Sequence, residues 1–156
     1  MNQKFAQYVN AVRQYPDFKA QFSDFCETSS KILNNNEHLQ GTSFNADSDG
    51  ITAKIGLLDQ IFIVMFHLVA LDEYGKLMGV LGVYLPIYES KESLLWQAIF
   101  DNYGNVKDTL DAPTAFYSLR DKEFVKKLLG ELTEKYFSHL VETLKLSDMT
   151  TPKQQG

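Results

Sequence analysis

Cysteine is nearly missing from this chain: among 156 residues Cys26 stands alone, so no intramolecular disulfide can form and no zinc site can be built from thiols. Positive charge is also short, with 15 Lys and Arg against 20 Asp and Glu, and the deficit is spread over both halves. No basic stripe is offered to phosphates, which disfavours nucleic acid as a partner. Long apolar runs are missing too. The longest, from Gln60 to Leu71 (QIFIVMFHLVAL), falls short of the roughly 20 residues that a bilayer-spanning helix needs. The opening MNQKFAQYVNAV lacks the continuous apolar core of a signal peptide. The expectation is a cytoplasmic protein without a membrane partner.

Catalytic signatures are absent as well. There is no Gly-x-Ser-x-Gly, no Gly-rich phosphate loop and no His-Glu-x-x-His, and nothing in the sequence asks for a cofactor or a metal. Asn45-x-Asp47-x-Asp49-Gly50 copies the first half of a calcium loop, but the position that should supply a bidentate Glu is Gly56, so the segment reads as a turn. Cys26 falls on the apolar stripe of a helix, where a thiol behaves as a small hydrophobe.

What the chain does have is an apolar, aromatic-rich centre. From Ile61 to Leu71 every residue but His67 is apolar, with β-branched and aromatic side chains dominating, which reads as a buried strand. Alternation puts Ile63, Met65, His67, Val69 and Leu71 on one face and Phe62, Val64, Phe66, Leu68 and Ala70 on the other. Both faces are apolar, so both are expected to be covered. The chain returns from Leu77 to Tyr88, with Gly79 and Gly82 marking a bulge or a close approach, and Pro86 ending the strand.

Three Asp-x-x-Gly segments, Asp47–Gly50, Asp72–Gly75 and Asp101–Gly104, each predict a hairpin turn. They give six strands: Thr42–Ala46 with Ile51–Gly56, the central pair, and Leu95–Phe100 with Asn105–Leu110. Ahead of them, apolar residues at helical spacing from Phe5 to Leu33 predict two helices or one kinked at Pro16, stopped by Asn34-Asn35-Asn36. Glu89–Ser93 reads as a charged loop and Asp111–Thr114 as the exit from the sheet. After them, Ser118 and Asp121 form a capping-box pattern, and Val125, Leu128, Leu129, Leu132, Tyr136, Leu140 and Leu144 give a long amphipathic helix. The fold class is therefore α+β: a six-stranded antiparallel sheet of three consecutive hairpins, flanked by N-terminal helices and a long C-terminal helix. Residues 1–146 form one domain and 147–156 a flexible tail.

In size, acidity and element order the chain is similar to small secretion chaperones and to bacterial immunity or inhibitor proteins. The resemblance is one of architecture and composition, and the helix that such chaperones carry between the third and fourth strands has no room here between Glu89 and Leu95. The doubly apolar hairpin and the lack of catalytic motifs point to a non-enzymatic protein-binding module, of the inhibitor, immunity or chaperone-like kind, that takes another protein, or a second copy as a homodimer, on a sheet face or strand edge. Phe62, Val64, Phe66 and Leu68 are the candidate interface. The alternative is a small-molecule-binding protein or modest enzyme, with a cavity near His67 that Tyr84 and Trp96 help to line.

Overall fold

The computed structural model describes residues 2–70, 76–86, 94–107 and 117–150, and their side chains as far as residue 138. Helix α1 (Gln3–Asn34) leads into a short 3₁₀ turn, Glu37–Leu39. Seven strands follow: β1 (Thr42–Ala46), β2 (Thr52–Leu57), β3 (Gln60–Ala70), β4 (Leu77–Tyr84), β5 (Leu94–Phe100), β6 (Asn105–Lys107) and β7 (Tyr117–Ser118). Helix α2 (Lys122–Thr150) closes the order. The strands pair antiparallel in sequence order, so the sheet is a single meander.

The three hairpins are present, joined by a fourth tight turn between β2 and β3, and β7 adds a seventh strand where only a helix cap was expected. The turns at Asp47 and Asp101 have the expected build. Gly50 and Gly104 take φ of +76° and +85°, and each donates its N–H to the carbonyl of the Asp three residues back. In the first turn, the Asp49 carboxylate accepts from the N–H groups of Ile51 and Thr52. Bonding from the Ile51 N–H and then the Thr52 hydroxyl holds this carboxyl below its ordinary pKa range. The predicted turn Asp72–Gly75, the continuation of β6 to Leu110, the Glu89–Ser93 loop and the Asp111–Thr114 exit lie outside the described residues, or largely so.

Of the two arrangements the sequence allows, α1 is one helix and not two, with Pro16 inside it. Each of the three asparagines at its end has a different task. Asn34 turns its side chain to β1, Asn35 is the C-cap with φ of −113° rather than the left-handed value, and Asn36 accepts the His38 N–H to cap the 3₁₀ turn. The second helix starts at Lys122, not at Ser118. The Asp121 carboxylate accepts the Ser118 N–H, the bond a capping box assigns to its acid, and so shapes the turn that precedes the helix. The helix continues to Thr150.

Both helices rest on the same side of the sheet. Phe22 of α1 meets Phe66 at 5.5 Å between ring centroids and Phe18 meets Phe100 at 5.9 Å, while Tyr136 of α2 stands edge-on to Phe62 at 5.3 Å. Pairing register puts Phe62, Val64, Phe66, Leu81, Val83, Trp96, Ala98 and Phe100 on this inner side. All of them belong to one buried cluster with Phe18, Phe25, Phe124 and Leu128. Each such large apolar side chain contributes roughly 1.5–3 kcal/mol by leaving water.

The two glycines of β4 are sites of close approach, as expected, but it is aromatic rings that approach and not backbone. The Phe100 ring lies directly over Gly79 on the inner side, and the Tyr84 ring folds back over Gly82 on the outer side. A register shift follows at once, opposite Val83 and Tyr84. Phe100 is fully buried between Phe18 and Phe66 and has nowhere to retreat. Gly79→Ala is therefore expected to destabilise the fold by about 1–3 kcal/mol, read as a lower denaturant midpoint with an unchanged slope.

Candidate functional site

With two helices on one side, the other side of β3 is open. Its burial alternates strictly from Ile61 to His67: Phe62, Val64 and Phe66 are buried, Ile61 is 54% exposed and Met65 38%, His67 is exposed, and Ile63 is half-buried. The strand is apolar on both sides but covered on one. The outer side is not open throughout, since Met78 and Val80 of β4 are buried there. The open region runs along β3 from Ile61 to His67, beside Tyr84.

This open region begins at an unusual turn. Leu57 pairs with Gln60, leaving Leu58 and Asp59 as a two-residue loop. Leu58 takes φ of +56°, and Asp59 does not share that sign, a geometry whose first position favours glycine. A left-handed non-glycine residue costs roughly 1–2 kcal/mol, and the Leu58 side chain, 75% exposed, recovers little of it by burial. Neither backbone preference nor packing calls for leucine here. No turn signal marks the segment in the sequence, so neither Leu58 nor the β2–β3 hairpin was found by sequence reasoning.

The strand residues that share the outer side carry one sign of charge. Lys54, beside Ile63 in register, His67, and Lys107, opposite Ile99, are basic or titratable, and no Asp or Glu stands on this side of any described strand. The Lys54 ammonium lies 3.9 Å from the carboxylate of Asp47, which directly follows β1, so part of this positive charge is already answered.

The open edge of the sheet, by contrast, is stoppered. Leu58 N–H to Gly41 and Asp47 N–H to Thr52 fix which residues of β1 face β2, and Thr42, Phe44 and Ala46 therefore turn their backbone groups outward. The Asn34 carboxamide occupies the middle of that edge. Its Nδ2 donates to the Phe44 carbonyl at 2.9 Å and its Oδ1 accepts the Phe44 N–H at 2.8 Å, reproducing the two bonds a paired strand would make.

The residues singled out from sequence do not converge. Phe62, Val64, Phe66 and Leu68 lie on the inner side beneath the helices, the first three fully within the core and Leu68 packed against it, and so are not presented by the folded chain. His67 and Tyr84 share the outer side but stand four strand positions apart, about 13 Å. Trp96 is on the inner side. It lines a cleft of about 840 Å³ between β5 and α2, together with Leu94, Phe124, Lys127, Glu131 and Lys135. The polar groups there are already engaged: the Trp96 indole donates to Glu131 at 2.6 Å, Lys135 donates to the Leu95 carbonyl at 2.9 Å, and Lys127 sits over the Tyr117 ring.

Cys26 is buried, and its thiol pKa is pushed up to about 12, first by burial and then by the negative charge of Asp47. The folded state thus holds the thiol proton more tightly than the unfolded chain, whose pKa is 9.0. The stability this contributes is complete below pH 9.0 and is lost as pH rises toward 12. At pH 8 the native thiol is expected to react with a disulfide reagent about a thousandfold more slowly than the unfolded chain, measured as labelling rate with and without denaturant.

Among the described residues no helix is long and apolar enough to cross a membrane. The chain matches no family model, no curated protein and no solved structure.

Proposed function

We propose that this chain is a non-enzymatic protein-binding module, of the inhibitor, immunity or accessory-chaperone kind, that holds another protein on the outer side of its sheet. The observation that carries the reading is Leu58, a large apolar side chain kept exposed in a backbone conformation that disfavours it. Strain of this kind persists where it serves a function. Beyond the turn, Ile61, Ile63 and Met65 share the outer side of β3 as exposed or half-buried apolar residues of the sort that mark a contact surface.

Charge selects the occupant. Lys54, which reaches Asp47 at 3.9 Å, and His67 border the strip, and no strand residue on that side is acidic, so an apolar surface rimmed by carboxylates is complementary to it. Two copies of the same side brought together would set these groups against themselves. With the β1 edge filled by Asn34, the face and not the edge is the contact.

Affinity capture from lysate of the cells that make the protein, comparing wild type with Ile61→Thr/Met65→Thr, tests this. Threonine keeps strand propensity while removing apolar surface. A companion protein retained in stoichiometric amount by wild type, released by high salt and lost from the double variant is the expected outcome; identical captures would refute the reading. Leu58→Gly is expected to raise stability by about 1 kcal/mol while weakening the same capture, the opposite signs being read by denaturant titration and by bound fraction.

The cleft beside Trp96 favours a second reading, a small-molecule-binding protein. Trp96 is the chain's single tryptophan, so its emission reports the cleft alone. Saturable quenching by a small-molecule panel, abolished in Glu131→Leu, is what this reading expects, and an unresponsive emission would remove it.

A further inference from the structure

The first half of α1 is amphipathic in the wrong sense for a helix that packs only on its own sheet. Its polar residues Asn10 and Gln14 are half-buried and line a cleft with Lys76, Leu77 and Asp101 to Tyr103. Four of its apolar residues are exposed instead: Phe5 is 56% exposed, Tyr8 66%, Val12 53% and Tyr15 37%. The first core residue of the helix is Phe18, and among the described residues Tyr15 is the one of the four that meets an aromatic ring of the body, stacking on Phe66. Positions 5, 8, 12 and 15 are spaced three, four and three apart, the a and d spacing of a helix that pairs with another helix.

We propose that this seam is a self-association surface, on which the first half of α1 pairs antiparallel with the same segment of a second copy. A twofold axis beside residue 10 sets Phe5 against the partner's Tyr15 and Tyr8 against the partner's Val12, so each layer joins an a position to a d position. Charge favours this direction over the parallel one. The segment before Asp17 carries Lys4 and Arg13 and no acid. Parallel pairing sets each of these cations beside its own copy, whereas antiparallel pairing brings Lys4 near the partner's Asp17.

Area sets the strength. At roughly 200 Å² for an exposed aromatic side chain, the four residues offer about 400 Å² per copy. A pair removes about 800 Å² through these side chains alone, and somewhat more with the flanking Lys4, Val9 and Ala11. That lies below the roughly 1,000 Å² that a stable interface clears, so the dimer is weak and reversible and not obligate. The sheet face proposed above is left free by this arrangement, and the two surfaces are separable by mutation.

Light scattering and sedimentation equilibrium on the full chain from about 1 to 500 μM decide it. Wild type is expected to pass from monomer to dimer across this range, and Tyr8→Glu/Val12→Glu to remain monomeric with its denaturant midpoint unchanged, since neither residue is in the core. Ile61→Thr/Met65→Thr is expected to dimerise as wild type does, so failure of the face reading leaves this one standing, and the reverse. A wild type that stays monomeric throughout, or a double variant that dimerises equally well, overturns the proposal. If the double variant loses its fold, Tyr8→Ala is measured instead. A tenfold or larger rise in its dissociation constant supports the seam, and an unchanged constant refutes it.

Discussion

The structure depends on a single asymmetry: two helices and one sheet, with both helices on the same side. Phe22 against Phe66 and Tyr136 against Phe62 anchor the two helices to alternate residues of one strand. Once those alternate residues are committed to the core, the residues between them face outward whatever their chemistry, because a strand reverses direction at every step. Ile61, Ile63 and Met65 are exposed as a consequence of where Phe62, Val64 and Phe66 must go.

How much of this was legible in the sequence follows from how local each signal is. The β1–β2 and β5–β6 hairpins were readable because an Asp and a Gly at fixed spacing define the turn chemically, and both elements formed as expected. The apolar stripe of the second helix was readable from its period. The β2–β3 hairpin was not, because a leucine occupies the position where glycine would have announced the turn, and β7 was not, because two residues carry no periodicity. The faces of β3 were correctly separated by alternation, yet alternation between two apolar sets cannot say which set a helix will choose. That choice is made by α1 and α2 jointly, through contacts between residues far apart in the chain. The candidate interface was for this reason assigned to the side that became the core.

The same limit applies to the candidate ligand site. His67, Tyr84 and Trp96 are polar-tipped or aromatic residues in an apolar stretch, and sequence alone invites gathering them around one cavity. Register separates them: His67 and Tyr84 project from one side of the sheet and Trp96 from the other. Trp96 is held instead by a carboxylate on α2, a bond that ties β5 to the second helix and closes one end of the core. Aromatic residues serve packing and recognition with the same surfaces, and only their placement distinguishes the two.

Asn34 has a consequence for the order in which the chain folds. It is the last residue of α1, and the strand it closes begins eight positions later. The loop that must be ordered is short, so its closure costs little entropy. The outward backbone groups of Phe44 can therefore be satisfied while β3 to β7 are still unpaired. A growing sheet normally offers its first strand to any passing chain. Here the amide that shields it is already synthesised when that strand appears, and the meander is left to extend from its other side only.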